Sequence, residues 1–257
     1  MDRNPSTVSG TVNDVADVLV ARGLRKAYRQ SLAVDGVDLT IGVGERVALL
    51  GPNGAGKTTT LLMLLGAVSP DSGTIELLGH PLPRERSEAM EGVGFAAGYL
   101  PLPERLRVGE VLRIFADLYG VPDAERAVTA GMERFGVAHL ATRMASELSS
   151  GQRTLVGIVK ATMHRPQLLV LDEPTASLDP DVAERVRRGI ESLWAQDGTA
   201  LLVTSHNMTD VERVCQRVVF LSRGRVAADG TPAEVALAFG RPSLEDVFMH
   251  LATQEEL

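Results

Sequence analysis

The sequence predicts an α/β protein with a helical segment set into it, and three observations carry that reading. The run Arg46-Val-Ala-Leu-Leu50 leads straight into a glycine-rich turn and the helical stretch Lys57–Leu65. A continuous apolar run of that kind marks a strand buried on both faces of a parallel sheet. Across residues 83–165 the apolar positions change period: Val108, Val111, Leu112 and Phe115, and again Leu155, Ile158, Val159 and Thr162, recur at helical spacing. After Pro166 the strand–helix rhythm returns.

Taken in order, residues 1–16 are rich in Ser, Thr, Asn and Asp with no apolar period, and are expected to form a mobile tail. Val18-Leu-Val20 reads as a first strand, and Val37-Asp-Leu-Thr-Ile41 alternates as a half-buried strand does. Beyond the helical segment, Leu168–Leu171 is a buried strand. Asp179-Pro180 opens a helix with proline at its first position, carrying Val182, Val186, Ile190 and Leu193. Strands follow at Leu201–Val203 and Val218–Leu221. Thr231-Pro-Ala-Glu234 is a capping box, and Leu244, Val247, Phe248 and Leu251 form one apolar stripe. No internal repeat and no low-complexity linker interrupts the chain.

Composition narrows the function. The 257 residues carry 26 Lys and Arg against 33 Asp and Glu, a net charge of −7, with 44% apolar residues. The longest apolar runs, such as Leu61–Leu65, fall far short of the roughly 20 residues that cross a bilayer. No basic and apolar leader follows Met1, and the single Cys215 fits a reducing compartment, so a soluble cytoplasmic protein is expected. An acidic balance with one Trp, three Tyr and six Phe argues against nucleic acid as a partner. Cys215 beside Val211 and Val214 reads as a small buried hydrophobe, and the other histidines (His80, His139, His164, His250) lack metal-ligand spacing.

The glycine-rich turn carries the chemistry. Gly51, Pro52, Asn53, Gly54, Ala55, Gly56, Lys57 and Thr58 match G-x-x-x-x-G-K-[ST] between a buried strand and a helix. Glycines let backbone N–H groups point inward around a phosphate, and the helix N-terminus adds its positive dipole end. Lys57 suits the β- and γ-phosphates, and the Thr58 hydroxyl suits Mg²⁺. The strand Leu168–Leu171 delivers Asp172 and Glu173 at its C-terminal end, where α/β sheets bind ligands. Asp172 is placed for the metal shell, and Glu173 for activating a water.

Leu148-Ser149-Ser150-Gly151-Gln152, Ser177-Leu178-Asp179 and His206 complete a set that resembles the nucleotide-binding subunit of ATP-binding cassette (ABC) transporters, from about Val18 to Ala252. The resemblance implies a P-loop NTPase core with a mixed sheet and a helical subdomain inserted between the phosphate loop and the acidic strand. It implies an ATPase domain over 17–230, with that subdomain at about 83–165, and a C-terminal helical extension over 231–257. It further implies ATP and Mg²⁺ as ligands. Tyr28 matches the aromatic that stacks on adenine, Lys57, Thr58 and Thr59 the phosphate loop, Asp172 the metal carboxylate, Glu173 the catalytic base and His206 the γ-phosphate switch. Ser149, Ser150, Gly151 and Gln152 match the signature that closes over the ATP of a second subunit, and Asp179 lies in the loop between sites. Partners follow: a second ATPase subunit, expected as a homodimer, and an integral membrane permease that holds the chain at the inner face of the membrane. The charge of −7 argues against docking on anionic lipid, leaving a protein contact near the helical segment.

Two positions depart from the pattern. Ser150 stands where a second glycine is usual. Gly98, in Val93-Gly-Phe-Ala-Ala-Gly98-Tyr99, stands where a glutamine is usual, and no glutamine lies between Gln30 and Gln152 to replace it. The expectation is either looser coupling or coupling borne by backbone and Tyr99. The segment Pro242-Ser-Leu-Glu-Asp-Val-Phe248 resembles the ending of exporter-type ATPases for drugs, sodium or polysaccharides; read by itself it is a capped helix over the sheet edge. Two other readings stay open: a soluble ABC protein outside transport, and a switch that binds ATP but barely hydrolyses it.

Overall fold

The computed structural model describes residues 17–29, 31–98, 100–176 and 178–255. The expected tail over residues 1–16, Tyr99 and Ser177 lie outside the described residues.

β1 (Asp17–Tyr28) and β2 (Ser31–Gly42) form a long antiparallel hairpin. Alternation decides its burial: Val34, Val37, Leu39 and Ile41 point into the core, with Leu32, Gly36, Asp38 and Thr40 more open. β3 (Arg46–Leu50) runs to the glycine-rich turn, and α1 (Lys57–Leu64) follows. β4 (Ser72–Leu77) and β5 (His80–Leu82) extend the hairpin to a four-stranded antiparallel sheet of order β2-β1-β4-β5.

Next come α2 (Arg86–Glu91) and β6 (Val93–Ala97), then the helices α3 (Val108–Leu118), α4 (Ala124–Arg134) and α5 (Ser150–Thr162). The alternating part resumes with β7 (Leu168–Asp172), α6 (Pro180–Asp197), β8 (Ala200–Thr204), α7 (Met208–Val214), β9 (Arg217–Ser222) and β10 (Arg225–Gly230). α8 (Pro232–Ala238) and α9 (Leu244–Glu255) close the chain. The second sheet has the order β10-β9-β3-β8-β7-β6, parallel except for β10. Thus β6, inside the stretch read as helical, is a strand of this larger sheet.

The continuous apolar runs now have a cause. Alternate residues of each central strand enter two different cores. Val47, Leu49, Val170, Leu202 and Val219 face a core shared with α1 and the antiparallel sheet. Ala48, Leu50, Leu169, Leu171, Leu201, Val203 and Phe220 face a second core built with α3, α5, α6 and α9. Both faces are covered, so neither needs polar residues. Among the described residues no helix is long and apolar enough to cross a membrane.

Candidate nucleotide site

Register brings the site together. β8 lies between β3 and β7, and Thr204 stands opposite both Leu49 and Asp172. The segments leaving these strands therefore emerge side by side: Gly51 onward from β3, Glu173 from β7, and Ser205-His206 from β8.

The phosphate loop is shaped by contacts of its own. Gly56 has φ 101°, and a Cβ there would sit 2.4 Å from the Ala33 carbonyl oxygen, so only glycine fits. Gly56 is also the residue before α1 and offers no side-chain cap, which leaves the first N–H groups of the helix to a ligand. Lys57 is buried, and its ammonium donates to the carbonyls of Gly51 at 2.6 Å and Pro52 at 2.9 Å. Those bonds hold the cation at the rim of the loop. Asn53, Gly54 and Thr58 are exposed, Thr59 is half-buried, and Pro52 and Ala55 are buried beneath.

The acidic pair has a more constrained geometry. Asp172 is buried and accepts from the Thr204 hydroxyl at 2.5 Å. The same hydroxyl oxygen accepts from Glu173 N–H at 3.0 Å, and that N–H also reaches the Thr204 carbonyl at 3.2 Å. Glu173 itself has φ 50°, a left-handed conformation that costs a non-glycine residue of order 1 kcal/mol or more and clusters at functional sites. Its Oε2 accepts from His206 N–H at 3.2 Å, and its Oε1 lies 3.0 Å from His206 Nε2 without a well-aligned hydrogen bond. Burial raises the Glu173 carboxyl above its ordinary value, and nearby Asp172 pushes the same way; His206 and Lys57 oppose them. A carboxylate so placed is a better base than an open one. Glu173 and His206 line a cleft of about 590 Å³ with Thr175, Leu178, Ser205 and Glu245.

Salt bridges fix the flanking helices. Arg187 on α6 meets Asp210 on α7 at 2.5 Å, and Arg213 on α7 meets Glu184 and Glu191 on α6, each at 2.7 Å. The segment after Asp179 and the segment after His206 are thereby held to each other. Asn207, whose side chain accepts from Asp210 N–H at 3.2 Å, starts α7 and so anchors His206.

The remaining sequence-predicted residues lie elsewhere. Tyr28, 46% exposed, ends β1. Its hairpin partner strand passes close to Gly56 of the phosphate loop at Ala33. Ser149, Ser150, Gly151 and Gln152 form the start of α5. Ser149 and Gln152 cap one another: Gln152 N–H donates to Ser149 Oγ at 3.2 Å, and Ser149 N–H to Gln152 Oε1 at 3.1 Å. Ser149 and Ser150 are exposed. Gly151 faces inward; a Cβ there would meet Val182 at 3.0 Å and Leu178 at 3.5 Å. Its small size thus lets α5 approach α6 and the Asp179 loop. Asp179 caps α6 through its carbonyl, which accepts from Val182 and Ala183. Gly98 is exposed with room for a side chain, one residue past Ala97, which stands opposite Asp172.

Sequence reasoning missed Thr204 and Asn207. The signal for Thr204 was present: one hydroxyl at the end of an otherwise apolar strand, Ala200-Leu-Leu-Val-Thr204. Cys215 is buried, which pushes its thiol up to about 12 and makes it inert.

A glycine-rich loop leaving β3, and a buried aspartate and a strained glutamate at the end of β7 with only β8 between, are the make-up of a P-loop nucleotide-binding protein. Comparison with known proteins takes the class further. The family model described as ABC transporter matches residues 34–176. The chain is 39% identical over 213 residues to Nod factor export ATP-binding protein I of Burkholderia orbicola, covering 82% of this chain and 70% of that one. To the protein of the same name from Cupriavidus metallidurans it is 37% identical over 220 residues, covering 85% and 72%. A solved ATP-binding subunit of an ABC transporter superposes with a TM-score of 0.80 at 30% identity, over 91% of this chain and 99% of that one. The cbiO1 protein of Clostridium perfringens, part of the transporter complex cbiONQ, does so with a TM-score of 0.77 at 25% identity, over 94% and 99%. This chain belongs to the ABC transporter ATP-binding family.

Proposed function

We propose that this chain binds and hydrolyses ATP to drive export through a separate membrane-spanning subunit. The observation that carries the reading is Glu173: left-handed, half-buried, raised in pKa and held beside His206 at the strand ends where the phosphate loop also emerges. The names of the relatives, which speak of export, support the direction.

The geometry supports the following residue roles. The N–H groups of the Gly51–Thr59 loop and the Lys57 ammonium bind phosphates, and Tyr28 offers an open ring to a base. Asp172 and the exposed Thr58 hydroxyl suit Mg²⁺: a buried carboxylate with a single protein donor is the hard oxygen ligand that ion prefers. When bound, Mg²⁺ supplies charge neutralisation at the phosphates. Glu173 takes the proton of the attacking water, and His206 orients Glu173 and senses the γ-phosphate. Ser149 and Gln152 present the exposed head of α5, a second anion-binding helix start, to the ATP of a partner copy. The domain limits drawn from the sequence, with an ATPase unit over 17–230 and an extension over 231–257, are kept as part of the reading.

The Glu173→Gln chain should bind ATP and run as a dimer on size exclusion, because the clamped state no longer turns over. A monomer with ATP bound would remove the paired-site reading. A pull-down from detergent extract should recover an integral membrane protein. Gly98 favours a second reading, a slow switch, since no glutamine side chain reaches toward Asp172 from that strand end.

A further inference from the structure

The C-terminal helix reaches the catalytic pair. Ser243 caps α9, donating to Asp246 Oδ2 at 2.5 Å while accepting from Asp246 N–H at 3.2 Å. Leu244, Val247 and Leu251 then enter the helical-side core and fix the rotation of the helix. That rotation turns Phe248 toward the end of β8. Its ring centroid lies 5.7 Å from that of the His206 imidazole, at 75° between planes, and 6.3 Å from Phe220 on β9. Glu245, one turn earlier, lines the same cleft as Glu173 and His206.

His206 needs such a neighbour. It stands in the link between β8 and α7, and its side chain is 43% exposed. Glu173 touches the ring at Nε2, but this contact is not a well-aligned hydrogen bond and leaves the imidazole free to turn about its side-chain torsions. A near-perpendicular aromatic neighbour on an anchored helix restricts that freedom, because the positive edge of one ring favours the negative face of the other. We propose that Phe248 is a positioning residue for His206, so that the C-terminal helix is a working part of the hydrolytic site. The inference rests on the reading of the chain as an ATPase. What selects phenylalanine at this place is then the imidazole, not only cover for the sheet edge.

The test uses the full chain with three substitutions: Phe248→Leu, which keeps apolar bulk; Phe248→Tyr, which keeps the ring; and Met249→Ala, on the exposed side of the same helix. Steady-state ATP hydrolysis is measured beside the proton resonances of histidine-labelled protein without nucleotide, with His206 assigned through His206→Gln. F248L should lower kcat about three- to tenfold with KM for ATP little changed, and should move the His206 signals. F248Y should restore both readouts, and M249A should match the wild type. Wild-type kcat in F248L, His206 signals unmoved in F248L, or a loss of kcat in F248Y as large as in F248L would each overturn the proposal. If the wild-type chain shows no hydrolysis, the ATPase reading fails instead, and the His206 signals alone then decide whether Phe248 holds the ring.

Discussion

The C-terminal end of β7 and the start of α5 are both proposed to serve the same triphosphate chemistry, yet they are built in opposite ways. At the end of β7 Asp172 is buried and Glu173 half-buried, and the two are tied together: one threonine hydroxyl serves both, and Glu173 sits at φ 50°. At α5 the groups are exposed and self-sufficient, because Ser149 and Gln152 satisfy each other. The first is pre-assembled within one chain by the register of parallel strands. The second is a finished helix end offered outward, which suits a surface that works only against another molecule.

That contrast can be broken first at Glu173. Glu173→Gln should lower turnover by about 10²–10⁴, the usual worth of a positioned base, while ATP binding persists in a fluorescence titration. Loss of binding instead would mean that the residue builds the site and does not act in it. Thr204→Val should come next. It removes the bridge between the two carboxylates, costs about 1–3 kcal/mol in thermal or urea unfolding, and lowers turnover about tenfold; Thr204→Ser should restore both. At the other pole, Gly151→Val should leave the isolated site's nucleotide binding alone. It should destabilise the fold by about 1–3 kcal/mol, because its side chain meets Val182 already at Cβ. The smallest change belongs to Gly98→Gln, which has room to be accommodated. A modest rise in hydrolysis or a tighter Mg²⁺ dependence is expected, and unchanged kinetics would deny that position a role.

The sequence exposed the buried pole more fully than it exposed the links between parts. β3, β7, β8 and β9 were legible because two covered faces leave an unbroken apolar run, and α3, α5 and α6 because one covered face leaves a helical stripe. β4, β5 and β10 were not: β5 and β10 lie at sheet edges, and only Ile75 and Leu77 of the three strands are buried, so no pattern rises above that of a loop. α4 was missed for a similar reason, with only Val128 and Met132 buried. β6, Val-Gly-Phe-Ala-Ala, is broken by Gly94, which sits where a Cβ would strike the Ala161 carbonyl oxygen at 2.1 Å; close packing there removed the residue that would have signalled a strand. In the site, the loop and the carboxylates were legible as motifs. Thr204 left a local trace, a hydroxyl ending an apolar strand, but its partners depend on register; the place of Phe248 depends on helix rotation, which no local spacing carries.

The most direct measurement is the pH dependence of kcat/KM for ATP hydrolysis by the wild-type chain with Mg²⁺ present, because that ratio reports the groups of the nucleotide-free protein. Burial holds the Glu173 carboxyl above its ordinary 4.5, and a base must be ionised to take a proton. Hydrolysis should therefore fall on the acid side at a pH above 4.5, with the residual rate of Glu173→Gln lacking that limb. The same shift has a sign in stability. A raised carboxyl pKa stabilises the fold only while the group is protonated, so the benefit is lost as pH rises through the folded value. Glu173→Gln should accordingly unfold at a higher temperature than the wild type at neutral pH, and the gap should close below the ordinary value. An acid limb shared unchanged by the Glu173→Gln chain would contradict the assignment of Glu173 as the base.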